Sequence, residues 1–349
     1  MSSEGVRAPS RGTVPTGPGT GALAIGVDVG GTKVVAGLVN ADGAVLVTSR
    51  RDTPGRDVVA VEDTIAALVE ELVEQAGSRH VLAVGVGAAG FVSADGELVL
   101  FSPHLAWRRE RLRAGLERRL ARPVLVENDA NGAAWAEWRF GAGRGETRLL
   151  CVTLGTGIGG GLVLDGRLER GRHGLAGEFG HMVLVPGGHR CECGNRGCWE
   201  QYASGNALGR RARELVAAGA PAAGVMLDLA GGEPADVVGT LVTRAARDGN
   251  GAARTLLAEV GSWLGLGLAN LAAALDPGTV VVGGGVSAAG ELLLGPARQA
   301  LSRNLTGRGY RPQMSVVAAG LGPLAGVVGV ADLARRNATT VKREVDGKS

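Results

Sequence analysis

The sequence predicts an α/β protein of two similar halves, and three features carry that prediction. At 349 residues the chain exceeds one simple core and suggests about two domains. Short apolar runs close repeatedly on glycines, as in A-L-A-I-G-V-D-V-G-G-T-K from Ala22, R-L-L-C-V-T-L-G-T-G-I-G-G-G from Arg148 and T-V-V-V-G-G-G-V-S from Thr279. Stretches with apolar residues at helical spacing lie between them. Each half therefore opens as strand, glycine turn and strand, with helices and further strands after it. The duplication rests on this order of elements, because the halves share little direct identity.

Taken in order, residues 1–22 are rich in Pro, Gly, Ser and Thr and read as a disordered leader. The leader lacks the apolar core of a signal peptide. The first strand follows, then V-V-A-G-L-V-N and A-V-L-V-T-S-R, joined by N-A-D-G, a hairpin turn. Val61, Ile65, Leu68 and Leu72 share one face of a helix from about Val58 to Gln75, stopped at Gly77. The strand V-L-A-V-G-V-G-A-A-G comes next, then a basic helix near Arg108 to Leu120 and the strand P-V-L-V-E-N-D-A-N. The second half repeats the strand–turn–strand opening at Arg148. A mostly helical region from about Asn206 to Leu275 leads to the strand at Thr279, a last strand over Met314–Ala319 and a closing helix over Ala325–Arg335. The uncharged run from Gln313 to Ala331 is interrupted by Pro323 and four glycines, so it reads as strand, turn and helix rather than a membrane span.

Composition narrows the class. Hydrophobic residues make up 45% and charged residues 20%, which is globular. A net charge of +3 is too small to imply a nucleic-acid surface. Three of the four cysteines are clustered and the fourth, Cys151, lies in an apolar run, a poor disulfide framework. Metal binding in a reducing cytoplasm fits better. Lysine occurs only at 33, 342 and 348, which singles out Lys33.

Two kinds of motif carry chemistry. Asp28, Gly30, Gly31, Thr32 and Lys33 lie at a strand-to-strand hairpin, so they form neither a Walker loop nor a Rossmann turn, both of which lead into a helix. Exposed N–H groups at such a turn bind phosphate oxygens, and Asp28 at its mouth suits a Mg²⁺-bound water. Gly155, Thr156, Gly157 and Gly159 make a second turn, and Gly283, Gly284 and Gly285 a third. Together the three can enclose a nucleotide, two on the phosphates and the third on ribose and adenine. Glu127, Asn128 and Asp129 end a strand, where they can orient a sugar hydroxyl and accept its proton. Asn128 equally fits a helix N-cap.

The second motif is E-F-G-H-M-V-L-V-P-G-G-H-R-C-E-C-G-N-R-G-C-W-E, from Glu178 to Glu200. Cys191, Cys193, Cys198 and His181 supply the three sulfurs and one imidazole of a closed tetrahedral Zn²⁺ site. Spacing alone leaves His189 as a rival imidazole. Four protein ligands leave no position for a catalytic water, so the metal is structural and its functional content lies in what it holds. His80, His104 and His173 read as residues without a special role, and Trp199 as packing beside the metal loop.

From about Leu23 onward these segments closely resemble the ROK family of sugar kinases, in the actin-like ATPase (ribonuclease H-like) superfamily. D-V-G-G-T-K and L-G-T-G-I-G-G-G match its two phosphate loops, E-N-D-A-N its catalytic segment, and G-H-M with C-E-C-G-N-R-G-C-W-E its zinc signature. The resemblance implies two α/β domains flanking a cleft. The smaller comprises residues 23–127 plus about 325–340, and the larger residues 128–324. It implies Asp129 as general base and Asn128, Glu178, His181 and Glu200 as sugar ligands, with His181 serving zinc as well. Gly90 would add a sugar contact. It also implies ATP, Mg²⁺ and structural Zn²⁺, phosphorylation of glucose at the 6-hydroxyl, and a homo-oligomer, dimer or tetramer, in the cytoplasm. Alternatives within the family are N-acetylglucosamine, N-acetylmannosamine, fructose or allose as acceptor, and polyphosphate as donor. A sugar-responsive repressor is the rival from another class. It would carry a helix-turn-helix ahead of the first phosphate loop, and the 27 residues before Asp28 fit no recognition helix.

Overall fold

The computed structural model describes residues 22–55 and 57–346; the leader expected over residues 1–22 lies, Ala22 apart, outside the described residues. In the first half β1 (Leu23–Val29) turns back into β2 (Lys33–Val39) and then β3 (Val45–Asp52). Helix α1 (Val58–Ala76) starts where the Asp57 carboxylate accepts the N–H groups of Val59 and Ala60, and stops at Gly77, with φ +62°. It buries Val61, Ile65, Leu68 and Leu72, the face set by the 3.6-residue period. Strand β4 (Val81–Ala88) is followed by the short strands β5 (Phe91–Val92), β6 (Val99–Phe101) and β7 (Arg108–Glu110), then α2 (Leu112–Leu120), β8 (Val124–Asn128) and α3 (Asp129–Arg139).

The second half opens with β9 (Arg148–Leu154), β10 (Ile158–Leu164) and β11 (Arg167–Leu168). Helices α4 (Glu200–Ala203), α5 (Gly205–Ala217), α6 (Gly224–Leu229), α7 (Gly239–Arg247) and α8 (Gly251–Leu275) lead to β12 (Thr279–Gly283). Helix α9 (Glu291–Asn304), β13 (Ser315–Ala318) and α10 (Ala325–Asp346) complete it.

The two five-stranded sheets have the same topology. The orders are β3-β2-β1-β4-β8 and β11-β10-β9-β12-β13, antiparallel through the two hairpins and parallel beyond β1 and β9. The duplication legible as element order is thus a duplication of strand pairing. Residues along β9 alternate: Leu150, Val152 and Leu154 join the core under α8 and α9, while Leu149 and Cys151 face the opposite side, toward Trp135 of α3.

Helices α3 and α10 fill the space between the sheets. A Cβ placed on Gly26 of β1 or Gly85 of β4 would fall 1.9 Å from the carbonyl oxygens of Val327 and Val330, so α10 lies almost directly on its sheet. Helix α3 lies on the β9–β10 hairpin, with Ala130 and Ala134 against Gly159 and Gly161. The two helices meet at Gly132 and Gly329, where a Cβ on Gly329 would fall 1.7 Å from the Gly132 carbonyl oxygen. Much of the unusual glycine content therefore serves backbone contact between elements, not turns. The apolar length of α8 has a similar explanation: it is a core helix whose Gly261 and Gly265 face the α9 backbone and whose Gly267 faces the Trp199 ring.

Two elements differ from expectation. The basic helix begins at Leu112, because Arg108–Glu110 form a strand and Arg109 has φ +54°, outside the helical region. The closing helix runs on to Asp346 rather than ending near Arg335.

Candidate active site

The ends of β1, β4 and β8 and the start of α3 point into one space beside the β9–β10 turn. Asp28 ends β1, and the Gly30 N–H donates to the Lys33 carbonyl across the first glycine turn at 3.0 Å. Thr53 fastens the turn from behind, its hydroxyl donating to the Gly30 carbonyl at 2.7 Å. Gly31, Thr32 and Lys33 are left exposed. Across the cleft the Gly155 N–H donates to the Gly157 carbonyl at 3.0 Å, and the Gly155 carbonyl accepts from Gly205 at 2.9 Å. The third cluster abuts this turn. Gly284, at φ +82°, rests on the backbone of Leu154, and a Cβ there would fall 2.4 Å from the Leu154 oxygen. Gly155 and Gly285 face open space.

Asp129 begins α3 between the two turns. Its carboxylate accepts the Ala130 N–H at 2.9 Å. Burial raises its pKa to about 6, against the pull of the backbone hydrogen bonds and of the His104 imidazole. Asp28 is pushed to about 7 by burial and by the charge of Asp129, with Lys33 opposing. Glu178 rises to about 7, from burial and then from Asp129 and Glu200. A cluster of carboxylates that repel one another and resist ionisation suits a ligand that brings hydroxyl donors and a cation.

Asn128 holds two tasks at once. Its Oδ1 accepts the Asn131 N–H at 2.9 Å, capping α3, while its Nδ2 donates to the Gly90 carbonyl at 3.0 Å. The cap reading holds, and the same amide ties Gly90 to the site. Gly90 is pressed against the backbone of Phe101 and Ser102.

The metal residues also assemble. The ligand atoms of His181, Cys191, Cys193 and Cys198 lie within 4.8 Å of one another, and all four cysteines are free thiols. His181 Nδ1 is 3.6 Å from Cys191 Sγ, and the Sγ atoms of Cys193 and Cys198 are 3.6 Å apart. Tetrahedral Zn–S bonds of about 2.3 Å would separate sulfurs by roughly 3.8 Å, so the donor set fits Zn²⁺. His189 stands apart from this group, its ring 5.2 Å from that of Tyr202. Trp199 is fully buried, and its indole N–H donates to the Trp263 carbonyl at 2.8 Å, which clamps the end of the metal loop to α8.

The loop reaches the cleft through two side chains. His181 turns Nδ1 to the sulfurs and Nε2 toward Glu178, 3.9 Å away. Glu200 places Oε1 3.1 Å from Cys191 Sγ, and its Oε2 accepts from the Ile158 N–H at 3.4 Å beside the second glycine turn. One carboxylate thus joins the cysteine and histidine cluster, the carboxylate cluster and the second glycine turn.

Two residues were not expected here. Arg170 donates to the buried Glu127 carboxylate at 2.6 Å. His104 sits over the first glycine turn, with its Cβ 2.8 Å from where a Gly31 Cβ would be. Neither carries a local signal: an arginine in a glycine-rich loop and a single histidine after a proline are ordinary surface features.

Residues 24–337 match the ROK family. The chain is 46% identical over 316 residues to a glucokinase of Streptomyces coelicolor, covering 90% of this chain and 98% of that one. It is 29% identical to a xylose repressor of Caldicellulosiruptor bescii, over 80% of this chain and 70% of the repressor. A crystal structure of a ROK family glucokinase from Streptomyces griseus, in complex with glucose and AMPPNP, superposes with a TM-score of 0.84 at 47% identity, covering 90% of this chain and 99% of that one. The fold is the actin-like ATPase fold expected from the resemblance, and the chain belongs to the ROK family.

Proposed function

We propose that the protein is a glucokinase, a hexokinase-type phosphotransferase that moves the γ-phosphoryl group of ATP to the 6-hydroxyl of glucose. The observation that carries this reading is the placement of Asp129, a carboxylate of raised pKa at a helix start between two glycine turns, the first of them exposed. The Streptomyces griseus structure, which holds glucose and AMPPNP, supports the same substrates.

In this reading Gly30, Gly31, Thr32 and Lys33 meet the phosphates from one side, and Gly155, Thr156, Gly157 and Gly159 from the other. Gly283, Gly284 and Gly285 take the nucleoside. Asn128, Glu178, His181, Glu200 and Gly90 hold the sugar, so that its 6-hydroxyl faces Asp129. Asp129 accepts the hydroxyl proton as the oxygen attacks phosphorus, an effect typically worth about 10²–10⁴ in rate. The remaining catalysis is positioning and charge neutralisation. Asp28 would hold Mg²⁺, whose charge offsets that of the phosphates and relieves the repulsion between Asp28 and Asp129. His181, Cys191, Cys193 and Cys198 would hold a structural Zn²⁺ that fixes His181 and Glu200.

We further assign residues 23–127 with about 325–340 to a small domain and residues 128–324 to a large one, closing on the substrates as a unit. We expect a cytoplasmic homo-oligomer, dimer or tetramer. The functional test is ADP release with MgATP against glucose, N-acetylglucosamine, N-acetylmannosamine, fructose and allose. A strong glucose signal is expected. Turnover of another sugar keeps the chemistry and changes the acceptor, and no turnover with any sugar would make sugar sensing, as in the repressor relatives, the leading reading.

A further inference from the structure

The six-residue segment between β6 and β7 is unusually well fastened. The Arg108 guanidinium lies 4.3 Å from the Phe101 ring centroid, and its Nη1 donates to the carbonyls of Ser102, Leu105 and Trp107 at 2.5, 3.1 and 2.7 Å. Ser102 is fully buried, and its hydroxyl donates to the Ala89 carbonyl at 2.6 Å, which fixes the segment to the end of β4. Leu105 and Trp107 are buried beneath it in the core of the first half. His104 is the residue this frame leaves exposed.

The frame places His104 at a specific spot. Its Cβ and Cγ lie 2.8 and 3.5 Å from the position a Cβ on Gly31 would take, so the ring rises beside the exposed N–H groups of the first glycine turn. Gly31 has an ordinary backbone conformation, so what excludes a side chain there is the Cβ of His104, not the turn. The His104 charge also favours the ionised form of the Asp129 carboxylate, after burial and the backbone hydrogen bonds. His104 therefore adjoins the gap between the turn assigned to the phosphates and the carboxylate assigned to the acceptor hydroxyl. A phosphoryl group must cross this gap.

We propose that His104 is a further catalytic residue, which donates an imidazole N–H hydrogen bond to a non-bridging oxygen of the phosphoryl group during transfer. This inference rests on the phosphotransferase reading above. The step balances without it. The sugar oxygen forms the new bond to phosphorus, the bond to the ADP oxygen breaks, and Asp129 takes the hydroxyl proton. His104 contributes a donor and undergoes no net proton change. Loss of a donor to developing negative charge typically costs about 10²–10³ in kcat in a dry site. An exposed imidazole is partly replaced by water, so a loss of about tenfold or more is expected.

The test compares wild type with His104→Ala and His104→Gln, using glucose and MgATP as substrates and thermal unfolding to verify folding. For His104→Ala, kcat should fall about tenfold or more while the glucose KM stays within about threefold, the pattern of an interaction made in the transition state. Added imidazole should restore part of the alanine variant's rate, and glutamine, which keeps an N–H donor, should lose less. A kcat within about twofold of wild type would overturn the assignment. So would a loss seen only in the glucose KM, which would make His104 a sugar contact. A wild-type protein inactive on every sugar would sink the kinase reading itself, and this inference with it.

Discussion

Arg170 Nε lies 2.6 Å from Glu127 Oε2, joining the loop that leads into Glu178 to the strand end that leads into Asp129. The Glu127 side chain is 4% exposed and that of Arg170 33%. The other Glu127 oxygen accepts from the Asn128 N–H and from Asn131 Nδ2, both at 3.0 Å. The carboxylate is thus fully partnered. Removing Arg170 leaves its charge buried with only neutral donors. Arg170→Ala should lower stability by about 2–4 kcal/mol in urea unfolding, near the range for breaking a buried pair with one member partly solvated. A change below about 0.5 kcal/mol would class the pair with ordinary surface ion pairs. The variant should also raise the glucose KM, since the loop leading into Glu178 loses this tie to the end of β8.

Asp129→Asn keeps the side chain's size and removes its basicity. Turnover should fall by about 10²–10⁴, with glucose affinity measured by calorimetry within a few-fold of wild type. A variant with near-normal turnover would take Asp129 out of the base role.

The pKa of about 6 gives this carboxylate a pH signature of known sign. Between its ordinary value of 3.8 and about 6, the folded chain holds a proton that the unfolded chain releases. The stability this contributes is fully present below about pH 3.8 and is lost as pH rises through about 6, where the ionised form appears. Burial sets the midpoint first, with the backbone hydrogen bonds and His104 opposing it, and Asp28 and Glu178 are the carboxyl groups coupled to Asp129. The ratio kcat/KM for glucose, which reports the unliganded enzyme, should fall below about pH 6, approaching tenfold per unit, and Asp129→Asn should show no such limb. A flat wild-type profile down to pH 5 would contradict the assignment.

Cys193→Ser removes one sulfur from the assembled set. Zinc content, measured on the purified protein by elemental analysis, should drop well below that of wild type. Glucose binding should weaken because His181 and Glu200 are carried on the same loop. A zinc-free protein with unchanged glucose affinity would make the metal incidental.

Gly329→Ala tests the meeting of α3 and α10. Its new methyl group would fall 1.7 Å from the Gly132 oxygen, a backbone atom that cannot swing away as a side chain could. Stability should drop by about 3 kcal/mol or more, at or beyond the usual range for overpacking. An unchanged melting temperature would show that the two helices part without cost.

The recurrence of strand, glycine turn and strand was readable because each unit is local: alternating apolar residues, then a turn residue, within about ten positions. The first helix was readable nearly to the residue for the same reason, with Gly77 as its stop, and the structure adds Asp57 as its cap. The clustering of Cys191, Cys193 and Cys198 was legible from spacing, since eight residues of chain can bring three sulfurs together. The choice of His181 over His189 needed the structure. His189 is nearer to Cys191 in sequence, yet Tyr202 holds its ring aside while the 3₁₀ turn at Phe179–His181 aims the other imidazole at the sulfurs.

What composition concealed was the use of the glycines. Gly26, Gly85, Gly132 and Gly329 look like turn signals, but they lie inside strands and helices where backbones touch across about 200 residues of chain or more. Such contacts leave no periodic trace, because each depends on two elements distant in sequence. The same holds for the Arg170–Glu127 pair and for His104 over Gly31. Chemistry written in short motifs is legible before folding, since bond lengths alone bring its atoms together. Chemistry assembled across the cleft exists only once two sheets and two helices set its distances, and electrostatic and packing energies depend on those distances rather than on order along the chain.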